Sequence, residues 1–338
     1  MLVDIVNEQA VGNDVTLILG NDVADGTVLE RLNSNVGVRF IGRAPGSWNP
    51  WYALRLFHTL RRLSPDVIHV HQESFIRITS FLEAPTVLTV HDTRTRLSPH
   101  ASKCATIYCI SEAVRLALLP QQPYSRMMVI HNGIPCSTIL QKTRYGQHPF
   151  RIVQVSRLYH EIKGQDVLLH ALQHVDKILG PGSVTVDFIG EGESREFLLG
   201  LAQELKVDNW CTFLGKQSRA TIYENLQAYD LLVQPSRHEG FGLTVVEAMA
   251  ARVPVLVSDI GGPMEIIGAG RHGYYFRAGD HLDCAAKIID VVEQSRQDTF
   301  PDALDRTVEY VRNQFDIADT ARKYLAEYKN IINETRAA

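Results

Sequence analysis

No apolar run in these 338 residues approaches the ~18 that a membrane-spanning helix requires, and no leader-like charged and apolar stretch opens the chain. The five cysteines (Cys104, Cys109, Cys136, Cys211, Cys284) are scattered, without a Cys-x-x-Cys pair. That argues against a disulfide framework and the common zinc modules, and fits reduced, mostly buried thiols of a cytoplasmic protein. Net charge is only −4, which speaks against a nucleic-acid partner. What remains is an ordinary globular composition, 45% hydrophobic, in a chain long enough for two domains of ~150 residues each.

The small net charge hides an uneven distribution. Residues 1–148 hold 14 Lys/Arg against 11 Asp/Glu, leaving 20 against 27 for the rest. Much of the N-terminal excess lies at Arg55, Arg61, Arg62, Arg94 and Arg96, near Trp51, Tyr52 and Phe57. A basic, aromatic surface of this kind can rest on anionic lipid headgroups as a peripheral contact. The plainer reading, which we favour, is a solvated helix face whose apolar residues point inward.

Strand-like and helix-like segments alternate throughout, the signature of parallel α/β sheets. Expected strands are 15–19, 36–41, 67–71, 86–91, 106–110 and 127–130, with helices at 51–63 and 111–119. A turn-rich loop over 132–149 separates these from strands at 151–156, 184–189, 211–214, 231–234 and 255–257. Helices are expected there at 165–179, 194–205, 219–228 and 243–251. The reading is two doubly wound domains, 1–148 and 149–314, whose strand C-termini would surround a common cleft. The chain opens on a helical segment, Leu2-Val-Asp-Ile-Val-Asn-Glu-Gln-Ala, where such a domain normally has a strand and a tight glycine turn. The first strand is central in the usual order, so the expectation is a truncated start or a rearranged sheet with a gap.

Two segments carry chemistry. In Pro235-Ser-Arg-His-Glu239-Gly-Phe-Gly242-Leu-Thr-Val-Val-Glu247-Ala-Met-Ala250, two carboxylates stand eight positions apart across a glycine-rich turn and a helix start. Unpaired N–H groups and the helix dipole there suit an anion, and Gly240 and Gly242 allow close backbone approach. Each carboxylate can accept hydrogen bonds from paired hydroxyls, as on a sugar or a ribose. The second segment is Val155-Ser-Arg157-Leu-Tyr-His-Glu-Ile-Lys163-Gly164, directly after the first strand of the second half. Arg157 offers a planar fork for phosphate oxygens and Lys163 a mobile point charge, a pair able to neutralise a departing diphosphate. Alone they would be ordinary loop cations; together with Glu239 and Glu247 they read as a nucleotide-sugar site.

These segments, with Val253-Pro-Val…Gly261-Gly-Pro-Met-Glu265, Asp66-Val-Ile-His-Val-His71, Thr89-Val-His91-Asp92, Ile130-His-Asn-Gly133 and Gly273-Tyr-Tyr-Phe…Gly279-Asp280, resemble the retaining glycosyltransferases of the GT-B fold, family 4. The resemblance spans nearly the whole chain and says little about substrate. It implies that Arg157 and Lys163 hold the donor diphosphate, Glu247 the ribose, and Glu239 the transferred sugar. Backbone N–H groups of Phe241, Gly242 and Leu243, with Thr244, would help at the helix start. Gly190, beside Gly192, and Gly215-Lys216 would border the nucleotide, and His91 would face the sugar across the cleft. Anomeric configuration would be kept, with donor phosphate oxygen accepting the acceptor's proton and no enzymic nucleophile. A C-terminal helix near 315–333 would cross back to the first domain. Arg252 departs from the family's usual glycine at little cost, and the N-terminal glycine-rich loop is missing.

Other readings carry less. His69 and His71 share a strand face, but with no carboxylate or cysteine partner evident a structural or cleft-lining role outweighs zinc. No Asp-x-Asp occurs, against a metal-dependent transferase of the other major fold. Glu239 and Glu247 as glycosidase acid and nucleophile fit poorly with a phosphate loop beside them. The leading expectation is a metal- and cofactor-independent hexosyltransferase. It would use a nucleotide-diphosphate sugar, UDP by family frequency, and act on a glycan or lipid-linked acceptor in surface polysaccharide or lipopolysaccharide synthesis. The alternatives are another GT-B enzyme, a phosphorylase or epimerase, and a non-catalytic nucleotide-sugar-binding protein.

Overall fold

Residues 1–21, 26–43, 51–121, 126–146 and 148–337 are described by a computed structural model. Through Pro135 the order is α1 (Leu2–Gln9), β1 (Val15–Asn21), α2 (Gly26–Leu29), β2 (Val36–Arg43), α3 (Trp51–Leu63), β3 (Ile68–Val70), α4 (Ile76–Thr79), β4 (Thr86–Val90), β5 (Thr106–Cys109), α5 (Glu112–Leu118) and β6 (Arg126–Val129). Then come β7 (Phe150–Val155), α6 (His160–Lys163), α7 (Gln165–Leu179), β8 (Val184–Ile189), α8 (Arg195–Glu204), β9 (Cys211–Gly215), α9 (Arg219–Asn225), β10 (Leu231–Gln234) and α10 (Leu243–Ala250). The chain closes with β11 (Val255–Ser258), α11 (Gly261–Ile266), β12 (Tyr274–Phe276), α12 (His281–Gln294), α13 (Phe300–Phe315) and α14 (Ile317–Ala337). It divides into two units: Met1–Pro135 with the residues from Phe315 onward, and Cys136–Gln314.

The second unit is a single parallel sheet in the order β12-β11-β10-β7-β8-β9. All four residues of β10 and of β11 are buried, as expected of strands covered on both faces by crossover helices. In α7, Val167, Leu168, Ala171, Leu172 and Val175 recur at helical spacing on the buried face, and Gly180 stops the helix. Asp280 caps α12 by accepting the N–H groups of Leu282 and Asp283, and Cys284, Ile288 and Val291 join the same core. Strand order reverses between β7 and β10. In such sheets that switch point is where ligands bind, at the strand C-termini.

The unit boundary falls before residue 136 rather than near 148, because the connecting loop is tied to the second unit. Lys142 N–H donates to the Ala251 carbonyl at 2.8 Å, and its ammonium lies 2.9 Å from Asp230 with both side chains almost wholly buried. Arg252, where the resemblance has glycine, sits in the left-handed region at φ 60°. That conformation costs a non-glycine residue ~1–2 kcal/mol. The Arg252 guanidinium lies 2.6 and 2.7 Å from Asp305, an exposed pair that returns only part of that cost.

In the first unit the strands form two parallel sheets, β1-β2 and β3-β4-β5-β6, not one. Helix α1 packs on both: Ile5 with Val87, Tyr108 and Tyr324, and Val6 and Ala10 with Val15, Leu17 and Val36. The expected C-terminal helix is two elements, α13 ending at Phe315 and α14, whose Ile317, Tyr324 and Ile331 fill the core above β4 and β5. Helix α3 buries Leu56 and Leu60 one turn apart, whereas Trp51 and Leu54 stay 71% and 49% exposed beside Arg55, Arg61 and Arg62. The five thiols are unpaired, and burial raises Cys104, Cys109 and Cys211 to about 12. No described helix is long and apolar enough to cross a membrane.

Candidate active site

Both chemistry-bearing segments leave the sheet of the second unit at its switch point, Ser156-Arg157 from β7 and Pro235 to Glu239 from β10. Glycines let the loops meet. A Cβ on Gly190 would lie 1.9 Å from the Ser156 carbonyl oxygen, and one on Gly192 2.3 Å from that of Leu158. Gly190 N–H in turn donates to the Gly215 carbonyl at 2.9 Å, so the predicted Gly190 and Gly215 stand together; Lys216 beside them is exposed.

Lys163 ends the single turn α6, and its ammonium donates to Glu239 Oε2 at 2.7 Å. Seventy-six residues apart in sequence, the two are an ion pair in the fold. Arg157 is exposed and leans over the Tyr159 ring at 5.8 Å, with no acidic partner among the described residues. A cation so placed suits an anionic ligand. Helix α10 begins at Gly242, in the left-handed region at φ 111°, with no side-chain cap. Its first N–H groups therefore have no intrahelical partner and add a partial positive charge. Phe241 is buried beneath this start, while Leu243 and Thr244 are half-buried.

One turn on, Glu247 accepts a hydrogen bond at 3.0 Å from the Tyr223 hydroxyl, which itself accepts one from Arg219 Nε at 2.7 Å. Burial first and Glu247 second push the Tyr223 phenol well up, so it remains a donor. Only the i, i+4 spacing of Tyr223 from Arg219 could have pointed to it in the sequence. Arg237, inside the motif itself, was also missed. Arg237 makes a two-pronged ion pair with Asp166 at 2.8 and 2.7 Å, donates to the His160 carbonyl at 2.8 Å, and gives its N–H to Ile162. Burial alone would raise the Asp166 pKa, but the hydrogen bonds and charge of Arg237 outweigh it and hold the carboxyl low. Arg237 thus clamps the turn that carries Lys163 to the loop that carries Glu239.

His91 belongs to the first unit, just beyond the end of β4. Its Nε2 is 3.1 Å from His71 Nδ1, and His71 stacks on His69 at 4.3 Å. His69 is held between the Tyr328 hydroxyl and Thr89 Oγ1. Burial lowers all three; His71 falls to about 4, with His91 as the second cause, so the imidazoles are largely uncharged at neutral pH. Neutral rings can relay a hydrogen bond, and each partner is a hydroxyl or another ring. Among the described residues no group of three or more metal-ligating side chains converges.

The family model described as Glycosyl transferases group 1 matches residues 137–314, and that of Glycosyltransferase Family 4 matches residues 9–138. Among curated proteins, D-inositol 3-phosphate glycosyltransferase of Mycolicibacterium smegmatis is 28% identical over 235 residues, covering 67% of this chain and 52% of that protein. The chain thus spans about half the length of the first curated relatives it matches. Among solved structures, Anabaena HepE in complex with UDP superposes with a TM-score of 0.81 at 21% identity, covering 97% and 95% of the two chains. A glycosyltransferase from Rickettsia africae gives 0.80 at 19%, covering 97% and 94%. At such identities the likeness establishes the shared GT-B fold.

Proposed function

Because the chain belongs to the group 1, family 4 glycosyltransferases of the GT-B fold, we propose that it moves a hexose or N-acetylhexosamine from a nucleotide-diphosphate sugar, with UDP as the nucleotide, to a glycan or lipid-linked acceptor. The observation that carries this reading is the grouping of Arg157, the Lys163–Glu239 pair and the uncapped start of α10 at one sheet switch point. Arg157, Lys163 and the helix start would hold the diphosphate, with Gly190, Gly215 and Lys216 bordering the nucleotide. Glu247, steadied by Tyr223, would accept from the ribose hydroxyls. Glu239 would accept from a hydroxyl of the transferred sugar, and we assign His91 to that sugar as well.

In the proposed reaction the acceptor oxygen bonds to the anomeric carbon as its bond to the diphosphate oxygen breaks. The departing diphosphate keeps the bonding electron pair and takes the acceptor's proton on the same face, so configuration is retained. Cations facing the oxygens where charge develops lower the barrier without a metal or an enzymic nucleophile. UDP and UDP-sugars are expected to raise the melting temperature, and Glu239→Ala to lose the increment due to the sugar while keeping that due to UDP. Equal loss of both would overturn the role given to Glu239, and no response to any nucleotide would overturn the reading. A non-catalytic binding role is distinguished by binding without release of UDP in the presence of acceptors.

We also propose peripheral membrane association through α3, with the acceptor chemistry of surface polysaccharide or lipopolysaccharide assembly. Its support is the exposed Trp51 and Leu54 beside Arg55, Arg61 and Arg62. Near an anionic surface each arginine contributes ~1 kcal/mol. Arg61→Ala with Arg62→Ala should therefore weaken sedimentation with phosphatidylserine-containing vesicles by roughly an order of magnitude or more, leaving uncharged vesicles unaffected. Equal sedimentation of both proteins would remove α3 from the membrane contact.

A further inference from the structure

We propose that Gln234 is a specificity-determining residue that fixes which oxygen of Glu239 meets the transferred sugar; this rests on the donor-site reading above. Gln234 is the last residue of β10 and only 1% exposed. Its amide nitrogen donates to Glu239 Oε2 at 3.1 Å and to Ser236 Oγ at 2.9 Å. Its amide oxygen accepts from the Thr244 hydroxyl at 3.3 Å. The orientation of the amide is settled by chemistry, because an ionised carboxylate can only accept and must face the NH2 group.

Lys163 donates to the same oxygen, Oε2, at 2.7 Å. Two donors from different elements therefore converge on one carboxylate oxygen, and the other, Oε1, is the one presented to a ligand. The terminal torsion of a glutamate is broad and two-fold, so without such donors the two oxygens would exchange freely. A cation alone would not suffice, since the Lys163 ammonium is proposed to serve the diphosphate as well. Gln234 is the donor that stays, anchored by a buried strand on one side and by Thr244 at the start of α10 on the other. A carboxylate held in one rotamer reads the position of a single hydroxyl, whereas a mobile one accepts from either of two epimers. The site is thereby built to separate sugars that differ in one hydroxyl configuration.

The test is isothermal titration of the whole protein and of Gln234→Met, with UDP, UDP-glucose, UDP-galactose, UDP-N-acetylglucosamine and UDP-N-acetylgalactosamine. Methionine keeps the length and the burial and removes the donor. Affinity for UDP should remain within about twofold, which also reports an intact fold. Affinity for the preferred UDP-sugar should fall about tenfold, the scale of one charge-assisted hydrogen bond. The ratio between that sugar and its C4 epimer should collapse to within about twofold. Gln234→Glu, which sets a second carboxylate against Glu239, should lose more than Gln234→Met for the sugar. An unchanged epimer ratio in Gln234→Met, or no epimer preference in the parent protein, would overturn the inference with the donor-site reading intact. Absence of UDP binding in the parent would instead overturn that reading itself.

Discussion

Lys163→Met is expected to lower kcat for UDP release by about two to three orders of magnitude, with donor affinity changed far less. Removing one preorganised electrostatic donor from a site where charge develops typically has an effect of ~10²–10³ on turnover. Lys163 is suited to such a task by three features. It ends a one-turn helix, so its stem is not fixed within a longer element. Its ammonium is partly exposed and held, among the described residues, by Glu239 at 2.7 Å. Its turn is clamped from behind by Arg237, through the His160 carbonyl, the Ile162 carbonyl and Asp166. In the proposed ground state Arg157 and the helix start carry most of the diphosphate's charge, and Lys163 adds less. The extra negative charge of the departing nucleotide arises only as the glycosidic bond breaks, and that is where a mobile ammonium acts. Melting temperature should fall modestly, because the pair is mostly buried, with side chains 23% and 16% exposed, and Lys163→Met leaves the Glu239 carboxylate without this cation. Lys163→Arg should recover only part of the rate, since a planar fork does not replace a compact ammonium. A kcat for Lys163→Met within threefold of the parent, measured as UDP release from a saturating UDP-sugar, would exclude Lys163 from leaving-group stabilisation.

The positions proposed for the donor were legible because they sit where strands stop. β7 and β10 are apolar runs, and each gives way to a polar, glycine-bearing turn that cannot continue the sheet. Arg157, Lys163, Glu239 and Glu247 could be placed from that pattern alone. The residues that hold them in place could not. Arg237 and Asp166 are 71 positions apart, and Gln234 reads as one more buried strand residue until Glu239 and Thr244 are brought beside its amide. Such partnerships are properties of the folded loops and leave no periodic mark. Strand β12 was not legible either, being three residues long and bounded by Gly273. Helix α12 carries a readable signal, an Asp280 cap followed by apolar residues at helical spacing.

Gly164→Ala tests the joint on which the site depends, and should damage both stability and turnover. Gly164 stops α6 in the left-handed region, at φ 67° and ψ 27°. A Cβ there would lie 1.9 Å from the Pro235 carbonyl oxygen and 2.8 Å from its carbon. Both neighbours are backbone, so the strain cannot be relieved by rotating a side chain. The left-handed conformation alone would cost alanine ~1–2 kcal/mol. For a unit of this size that lowers the melting temperature by roughly 2–8 °C, before the overlap is counted. To admit the methyl group the α6 turn and the 235–239 loop must separate by about an ångström, and a displacement on that scale can reduce turnover ~10²-fold. Lys163 is the residue before Gly164, and Glu239 lies four beyond Pro235, so the separation acts directly on their ion pair. Gly200→Ala is the contrasting substitution: Gly200 lies within α8, and nothing is within 4 Å of its added Cβ. There alanine should stabilise by up to ~1 kcal/mol and leave turnover unchanged. If Gly164→Ala melts and turns over like Gly200→Ala, the close packing of these two loops is not what positions Lys163 against Glu239.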